Sequence, residues 1–222
     1  MVATPASLAG AYVGTSGFSY ASWRGGFYPE KAKPAEFLDL YAERLPSVEL
    51  NTTFYQLPSE DQMRRWAEQT PRDFRFAVKV NRRITHGGRL ELIPTFIEQV
   101  RAFGERLGPI LVQFPETRTR DEGLLRLLLD SLDPELEYAF EFRHESWAGA
   151  DVPVRVNSLD GDAPFRYLRL REPPYDDAAL RGWADRLRPL LERRVRLYVY
   201  FKHEDEPTAP LYARRLLELL AA

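Results

Sequence analysis

The feature that most constrains this chain is an alternation: short runs rich in β-branched and aromatic residues recur between longer segments of helical period. Strands that alternate with helices favour a parallel sheet of βαβ units over a sandwich or a bundle. Eight runs have strand character, at residues 11–15, 47–51, 75–80, 110–114, 138–143, 154–157, 165–171 and 196–202. Eight is the count a closed (β/α)8 barrel needs, and 222 residues suffice for one such domain. No repeat or linker divides the chain, so residues 1–222 are read as one domain of the α/β class, a TIM-type (β/α)8 barrel. A doubly wound open sheet is the competing arrangement.

The intervening segments carry helix signals. Ser59 with Gln62 three residues later forms a capping box, Met63 and Trp66 supply an apolar face, and Pro71 follows the end. Pro34 and Pro94 suit first-turn positions. Ile97, Val100 and Leu107 lie along one face, with Gly108 placed to end that helix. Leu180, Trp183, Leu187 and Leu190 mark a further helix that Pro189 should kink or end early, and a final helix runs to Leu220. Residues 148–164 are rich in Gly, Pro and Asp and too short for two crossovers, so the barrel is expected to be trimmed of helices between strands 5 and 7.

Composition removes several function classes. A hydrophobic fraction of 44% with 29% charged residues excludes a disordered chain. Lys and Arg number 31 against 33 Asp and Glu, so no global positive field draws the chain to nucleic acid or an anionic membrane. The absence of cysteine excludes disulfides, thiolate nucleophiles and cysteine-ligated zinc. Met1 to Gly10 lacks the basic and apolar regions of a leader, and no apolar run approaches a membrane span, so a cytoplasmic protein without membrane contact is expected. No pattern speaks to oligomeric state.

Side chains alternate across a strand, which sorts the strand residues into two sets. Val48, Leu50, Phe76, Val78, Ile110, Val112, Phe140, Phe142, Leu168, Leu170, Val199 and Phe201 form an apolar set suited to packing under helices. Glu49, Asn51, Lys79, Gln113, Glu141, Arg143, Arg169, Arg171 and Lys202 form a polar set near the C-terminal strand ends. Isolated charges in a dry core cost several kcal/mol each, so these must pair or meet a ligand. The C-terminal mouth is where barrels of this kind build their sites. An internal salt-bridge network is the alternative.

Several motifs together are similar to one family. Gly14-Thr15-Ser16-Gly17-Phe18-Ser19-Tyr20, Trp23, Gly26-Phe27-Tyr28-Pro29 and Val48-Glu49-Leu50-Asn51-Thr52-Thr53-Phe54-Tyr55 come first. Arg75-Phe76-Ala77-Val78-Lys79 with Thr85-His86, Leu107-Gly108-Pro109-Ile110-Leu111-Val112-Gln113-Phe114-Pro115, and Glu141-Phe142-Arg143-His144 with Ser146-Trp147 follow in order. Over residues 12–200 the chain resembles the domain of unknown function 72, or YecE-like, family. The resemblance implies a TIM-type barrel and a pocket without an established reaction. The chain departs from that pattern at Leu170-Arg171-Glu172 and at Lys202-His203-Glu204-Asp205, and it lacks the helix that usually follows the Ser-Trp signature.

Glu49 and Glu141 are the best pair for acid/base work, since carboxylates among cations can be held at different pKa values; structural pairing is the other reading. Lys79 is either a Schiff-base nucleophile, if desolvated, or a cation fixed for an anionic substrate by the two carboxylates. His86, in Thr85-His86-Gly87-Gly88, could transfer a proton where the glycines bring backbone N–H groups to a ligand, unless the segment is a plain turn. His144 could orient a carboxylate, ligate a metal or cap the strand. Arg143, Arg169, Arg171, Lys202 and His203 suit phosphate or carboxylate, with Asn51 and Gln113 as polar partners. Tyr20, Trp23, Phe54, Tyr55 and Trp147 could wall the pocket or pack its rim. Only three histidines exist, too few for a multi-zinc site, and no cofactor is expected; the one metal arrangement considered is a single divalent ion on Glu49, Glu141 and His144. The leading expectation is an acid/base enzyme of the hydrolase, isomerase or lyase type acting on a small anionic, phosphorylated or sugar-like molecule. The alternative is a non-catalytic barrel that binds a ligand or nucleic acid.

Overall fold

A computed structural model describes residues 8–202 and 206–222. Seven strands form one all-parallel sheet: β1 (Ala11–Ser16), β2 (Ser47–Leu50), β3 (Arg75–Lys79), β4 (Leu107–Phe114), β5 (Tyr138–Phe142), β6 (Phe165–Leu170) and β7 (Arg196–Phe201). Their order, β5-β4-β3-β2-β1-β7-β6, is a ring cut at one place, which a doubly wound sheet would not give. Around it lie α1 (Phe37–Ala42), α2 (Glu60–Gln69), the single turn α3 (Arg82–Thr85), α4 (Ile93–Val100), α5 (Glu122–Asp130), α6 (Asp177–Glu192) and α7 (Thr208–Ala221). No helix among the described residues is long and apolar enough to cross a membrane.

The helices start where their caps dictate. Ser59 accepts from the Gln62 N–H at 3.2 Å, Asp121 from Leu124 at 2.9 Å and Asp176 from Ala179 at 2.7 Å. Pro94 sits in the first turn of α4, and Pro34 opens a short 3-10 turn. Two expectations fail. Gly108 ends no helix: a 3-10 stretch with Gly104 at φ 56° leads out of α4, and Leu107 and Gly108 already belong to β4. A Cβ at Gly108 would stand 3.2 Å from the Phe76 carbonyl oxygen, so glycine permits the close approach to β3. Pro189 does not end α6 early, because it lies in the last turn and the helix continues to Glu192.

The sixth of the eight strand candidates, residues 154–157, is reduced to a single bridge between the two free edges. Phe140 N–H donates to Val154 O at 2.8 Å, Val156 N–H to Phe140 O at 2.9 Å and Asn157 N–H to Tyr167 O at 2.9 Å. Asn157 then turns left-handed, with φ at 64°, and its side chain continues the ladder in place of a peptide. Its Oδ1 accepts from Arg169 N–H at 2.7 Å and its Nδ2 donates to Arg169 O at 3.3 Å. No α-helix separates β5 from β6, only a 3-10 turn at Glu145–Trp147, as the composition of that stretch implied.

The alternation of side chains sorts as expected. Val48, Leu50, Phe76, Val78, Ile110, Val112, Phe140, Leu168, Leu170, Val199 and Phe201 pack outward with the helices, and Phe142 is partly buried against the same layer. Inside the barrel, Tyr12 stacks on Tyr198 at 4.8 Å and Glu137 accepts two bonds from Arg196 at the N-terminal end. Above them Ala77, Leu111, Ala139, Tyr167 and Tyr200 fill the middle. Alanines on β3 and β5 and a leucine on β4 thus share this layer with tyrosines on β6 and β7, and the polar ends of the strands stand over this plug.

Candidate active site at the barrel mouth

Glu49, at the end of β2, is fully buried and accepts from four donors. These are Ser16 Oγ at 2.9 Å, Asn51 Nδ2 at 3.0 Å, Tyr167 OH at 2.8 Å and Arg169 Nη2 at 2.9 Å. Burial pushes its carboxyl group up, but the Arg169 guanidinium and the donated hydrogen bonds together hold it below the usual range. Arg169, 6% exposed on β6, also bonds Glu141 Oε2 on β5 and approaches Gln113 Oε1 on β4 at 3.4 Å. Burial works against its charge and the two carboxylates outweigh it, so Arg169 stays protonated. Its Nε and Asn51 Oδ1 are buried without a hydrogen-bonding partner among the described residues.

Above this core opens a cavity of about 800 Å³. Strand ends contribute Lys79, Arg143, Arg169, Arg171 and Lys202 to its wall, and α3 contributes Arg82 and Arg83. Seven cations therefore line it, and no carboxylate does among the described residues. Ser16, Asn51, Gln113, Gly87 and the rings of Phe54, Tyr55 and His86 complete the wall. Tyr55, 71% exposed, stands at the rim. Glu141 lies behind the wall, 3.5 Å from Arg143 Nε and 3.8 Å from Arg171 Nη1.

Lys79 is 8% exposed, and its ammonium stands 3.9 Å from the centroid of the Phe54 ring with no hydrogen bond or ion pair to another side chain among the described residues. Burial, then Arg169, lowers its pKa to about 8 against the opposing pull of Glu49 and Glu141. The two carboxylates, both paired with Arg169, are outweighed by burial and by the guanidinium, so they do not hold Lys79 at an ordinary lysine pKa. His86 packs edge-on against the same Phe54 ring at 4.8 Å, and its Nδ1 is 2.9 Å from Thr85 Oγ1. Burial and then Lys79 depress its pKa further, so the imidazole is neutral at pH 7.

Two expected binding residues stand outside this cavity. His144 is a cap: its Nδ1 accepts from Ser146 N–H at 3.1 Å. Trp147 is fully buried, stacked on Phe142 at 4.6 Å and Phe114 at 5.3 Å. It reaches the site only indirectly, since its Nε1 donates to Arg118 O at 2.7 Å and Arg118 Nη2 donates to His86 O at 3.0 Å. Trp23 is core, and Tyr20 lines a separate cavity of about 410 Å³. His203 lies outside the described residues. The arrangement of Glu49, Glu141 and His144 around a divalent ion is not assembled: Arg169 joins the carboxylates, His144 faces Ser146, and no group of three His, Asp or Glu residues among those described is spaced to hold a metal. Sequence reading overlooked Ser16, Tyr167, Arg82 and Arg83. Tyr167 is two residues before Arg169, so the alternation itself pointed to it, and Arg82-Arg83 follows β3 where barrels place functional loops.

Comparison with known proteins agrees with this architecture. The family model described as "Protein of unknown function DUF72" matches residues 12–159 and 149–222, beyond the 200 at which the motifs end. The chain is 38% identical over 112 residues to the UPF0759 protein YecE of Escherichia coli K12, covering 48% of this chain and 41% of that protein. It is 28% identical over 149 residues to the UPF0759 protein YunF of Bacillus subtilis 168, covering 61% and 51%. The chain thus spans about half the length of the curated relatives it matches. The crystal structure of a DUF72 family protein from Thermotoga maritima superposes with a TM-score of 0.76 at 28% identity, over 96% of this chain and 99% of that one. One from Enterococcus faecalis has the same fold, with a TM-score of 0.76 at 19% identity over 96% of each chain. With a family model spanning it from residue 12 to residue 222 and a matching parallel barrel, the chain belongs to the DUF72 family.

Proposed function

We propose that the barrel mouth binds a small anionic molecule and carries out proton-transfer chemistry on it. One observation carries this reading: seven cationic side chains converge on one cavity into which no carboxylate opens among the described residues. Glu49 and Glu141 behind the wall offset only part of this charge, so the cations facing the cavity repel one another, and an anion among them relieves that repulsion. Arginine forks suit phosphate or carboxylate oxygens.

The carboxylates act from behind the wall. Glu49, held ionised by four donors, is a positioning residue that fixes Arg169, and Glu141 steadies Arg143, Arg169 and Arg171. Proton transfer falls to Lys79 and His86, which face the cavity and whose pKa values are both lowered. A nucleic-acid reading is less well supported, because the cations converge on a pocket instead of tracking along a groove. A thermal-shift series with inorganic phosphate, citrate and sugar phosphates tests the proposal. Stabilisation by phosphate or a phosphorylated sugar, and not by the matching neutral sugar, is expected; an identical melting temperature throughout would remove the anion site.

A further inference from the structure

We propose, resting on the anion-site reading above, that Lys79 is a carbonyl-reactive nucleophile and that the substrate class is a small aldehyde or ketone bearing a phosphate or carboxylate. The chain holds 31 basic side chains yet only four lysines, Lys31, Lys33, Lys79 and Lys202. Two of the four lie in the cavity wall, whose other cations are arginines. A guanidinium binds anions at least as well as an ammonium but does not act as an amine nucleophile at neutral pH. Anion binding alone therefore leaves unexplained why the most buried cation facing the cavity, next to Arg169, is a lysine.

The surroundings of Lys79 are those that activate an amine. Among the described residues its nitrogen makes no hydrogen bond or ion pair; the Phe54 face beside it favours the ammonium, whereas burial and the Arg169 guanidinium oppose it. The flanking positive charges of Arg169 and Arg143 oppose its protonation, and burial does so more strongly. At a pKa of about 8, about a tenth of the amine is neutral at pH 7, against roughly one part in 2,500 for an ordinary lysine. The arginines that lower this pKa would also hold the anionic end of a substrate and present its carbonyl carbon to the amine.

The step balances within the site. The Lys79 lone pair forms a C–N bond to the carbonyl carbon while the C=O π pair moves to oxygen. One amine proton passes to that oxygen, a second arrives from solvent through His86 on the same Phe54 ring, and the oxygen leaves as water. The product is a protonated imine, which draws electrons from the adjacent carbon, and hydrolysis reverses the step.

Trapping tests this on the whole protein. Glycolaldehyde phosphate, glyoxylate and uncharged glycolaldehyde are each added with sodium cyanoborohydride, whose hydride reduces the imine to a secondary amine, and the modified lysines are mapped by mass spectrometry. We expect one labelled site, Lys79, modified about tenfold or more faster by an anionic aldehyde than by the neutral one, and protected by inorganic phosphate. The two anionic reagents separate a phosphate from a carboxylate preference. Lys79→Arg should keep the phosphate-induced rise in melting temperature and lose the label. If phosphate stabilises the protein but label falls only on Lys31, Lys33 and Lys202, the nucleophile is refuted and the anion site stands. If phosphate neither stabilises nor protects and Lys79 reacts no faster than the surface lysines, both fall.

Discussion

Arg169 on β6 reaches across the inside of the barrel to Glu49 on β2, with Nη2 2.9 Å from Oε1. Two strands, β7 and β1, separate them in the sheet, so this contact spans the interior and does not follow the wall. Removing one partner of a buried pair leaves the other charged and unmet. Glu49→Gln should therefore lower stability by about 3–5 kcal/mol, measured by urea denaturation at pH 7. A double-mutant cycle with Arg169→Met should show coupling of about 1 kcal/mol or more, whereas additive losses would dissolve the pairing. Because the carboxyl pKa of Glu49 is lowered on folding, its contribution is full above the unfolded value of about 4.3 and is lost as pH falls through the native one. The penalty of Glu49→Gln should shrink in that acid range.

Lys79 works in the opposite direction. Its native pKa, about 8, lies below the unfolded value, so at neutral pH the unfolded chain holds this proton more readily than the native protein does. Wild-type stability should rise, relative to Lys79→Met, as pH goes from about 8 to about 10.4. Below pH 8 the substitution should stabilise by on the order of 1 kcal/mol, after allowance for solvent screening at the mouth. A Lys79→Met protein less stable than wild type at pH 7 and equally so at pH 10 would show that the ammonium is not penalised.

The closure of the barrel depends on Asn157. Asn157→Gly keeps the left-handed backbone accessible but removes both side-chain bonds to the Arg169 peptide, and should cost about 1–3 kcal/mol. Amide exchange should speed up at Arg169. Unchanged protection there would mean that the side chain does not stand in for the ladder.

Near the start of the barrel, Gly14 lets β1 lie against β2. A Cβ there would stand 1.8 Å from Ser47 O, so Gly14→Ala should cost about 4 kcal/mol or more or prevent folding. Tyr41 OH bridges the strands, accepting from Thr15 N–H at 2.9 Å and donating to Ser47 O at 2.9 Å. Tyr41→Phe should lose about 1–3 kcal/mol, by thermal or chemical melting.

Much of this architecture was legible because it rests on local period. Residues two apart in a strand share a face, so Glu49, Asn51, Lys79, Gln113, Glu141, Arg143 and Arg169 could be assigned to one interior before any contact was known. The closing segment was not legible as a bridge. Val154 to Asn157 has the pattern of a strand, and only the left-handed turn at Asn157 shortens it. Gly108 misled for a similar reason, since a glycine after an apolar helix face suits a helix stop and a close strand pair equally well. The division of labour at the mouth was hidden more deeply. That Arg169 would claim both carboxylates, leaving Lys79 on Phe54 without an acceptor among the described residues, depends on side chains brought together from strands far apart in sequence. His144 and Trp147 sit beside the site motifs in sequence, yet the 3-10 turn after β5 carries one into a cap and the other into the core.

The central claim, that the mouth is an anion site, is tested most directly by titration calorimetry with inorganic phosphate on the wild type and on Arg171→Gln. Arg171 is half-buried in the cavity wall, and its one ion pair among the described residues is a long one, 3.8 Å to Glu141, so the variant should fold normally. One phosphate per chain is predicted for the wild type, with affinity about tenfold or more weaker in the variant. No heat of binding, or equal affinity in the two proteins, would contradict it.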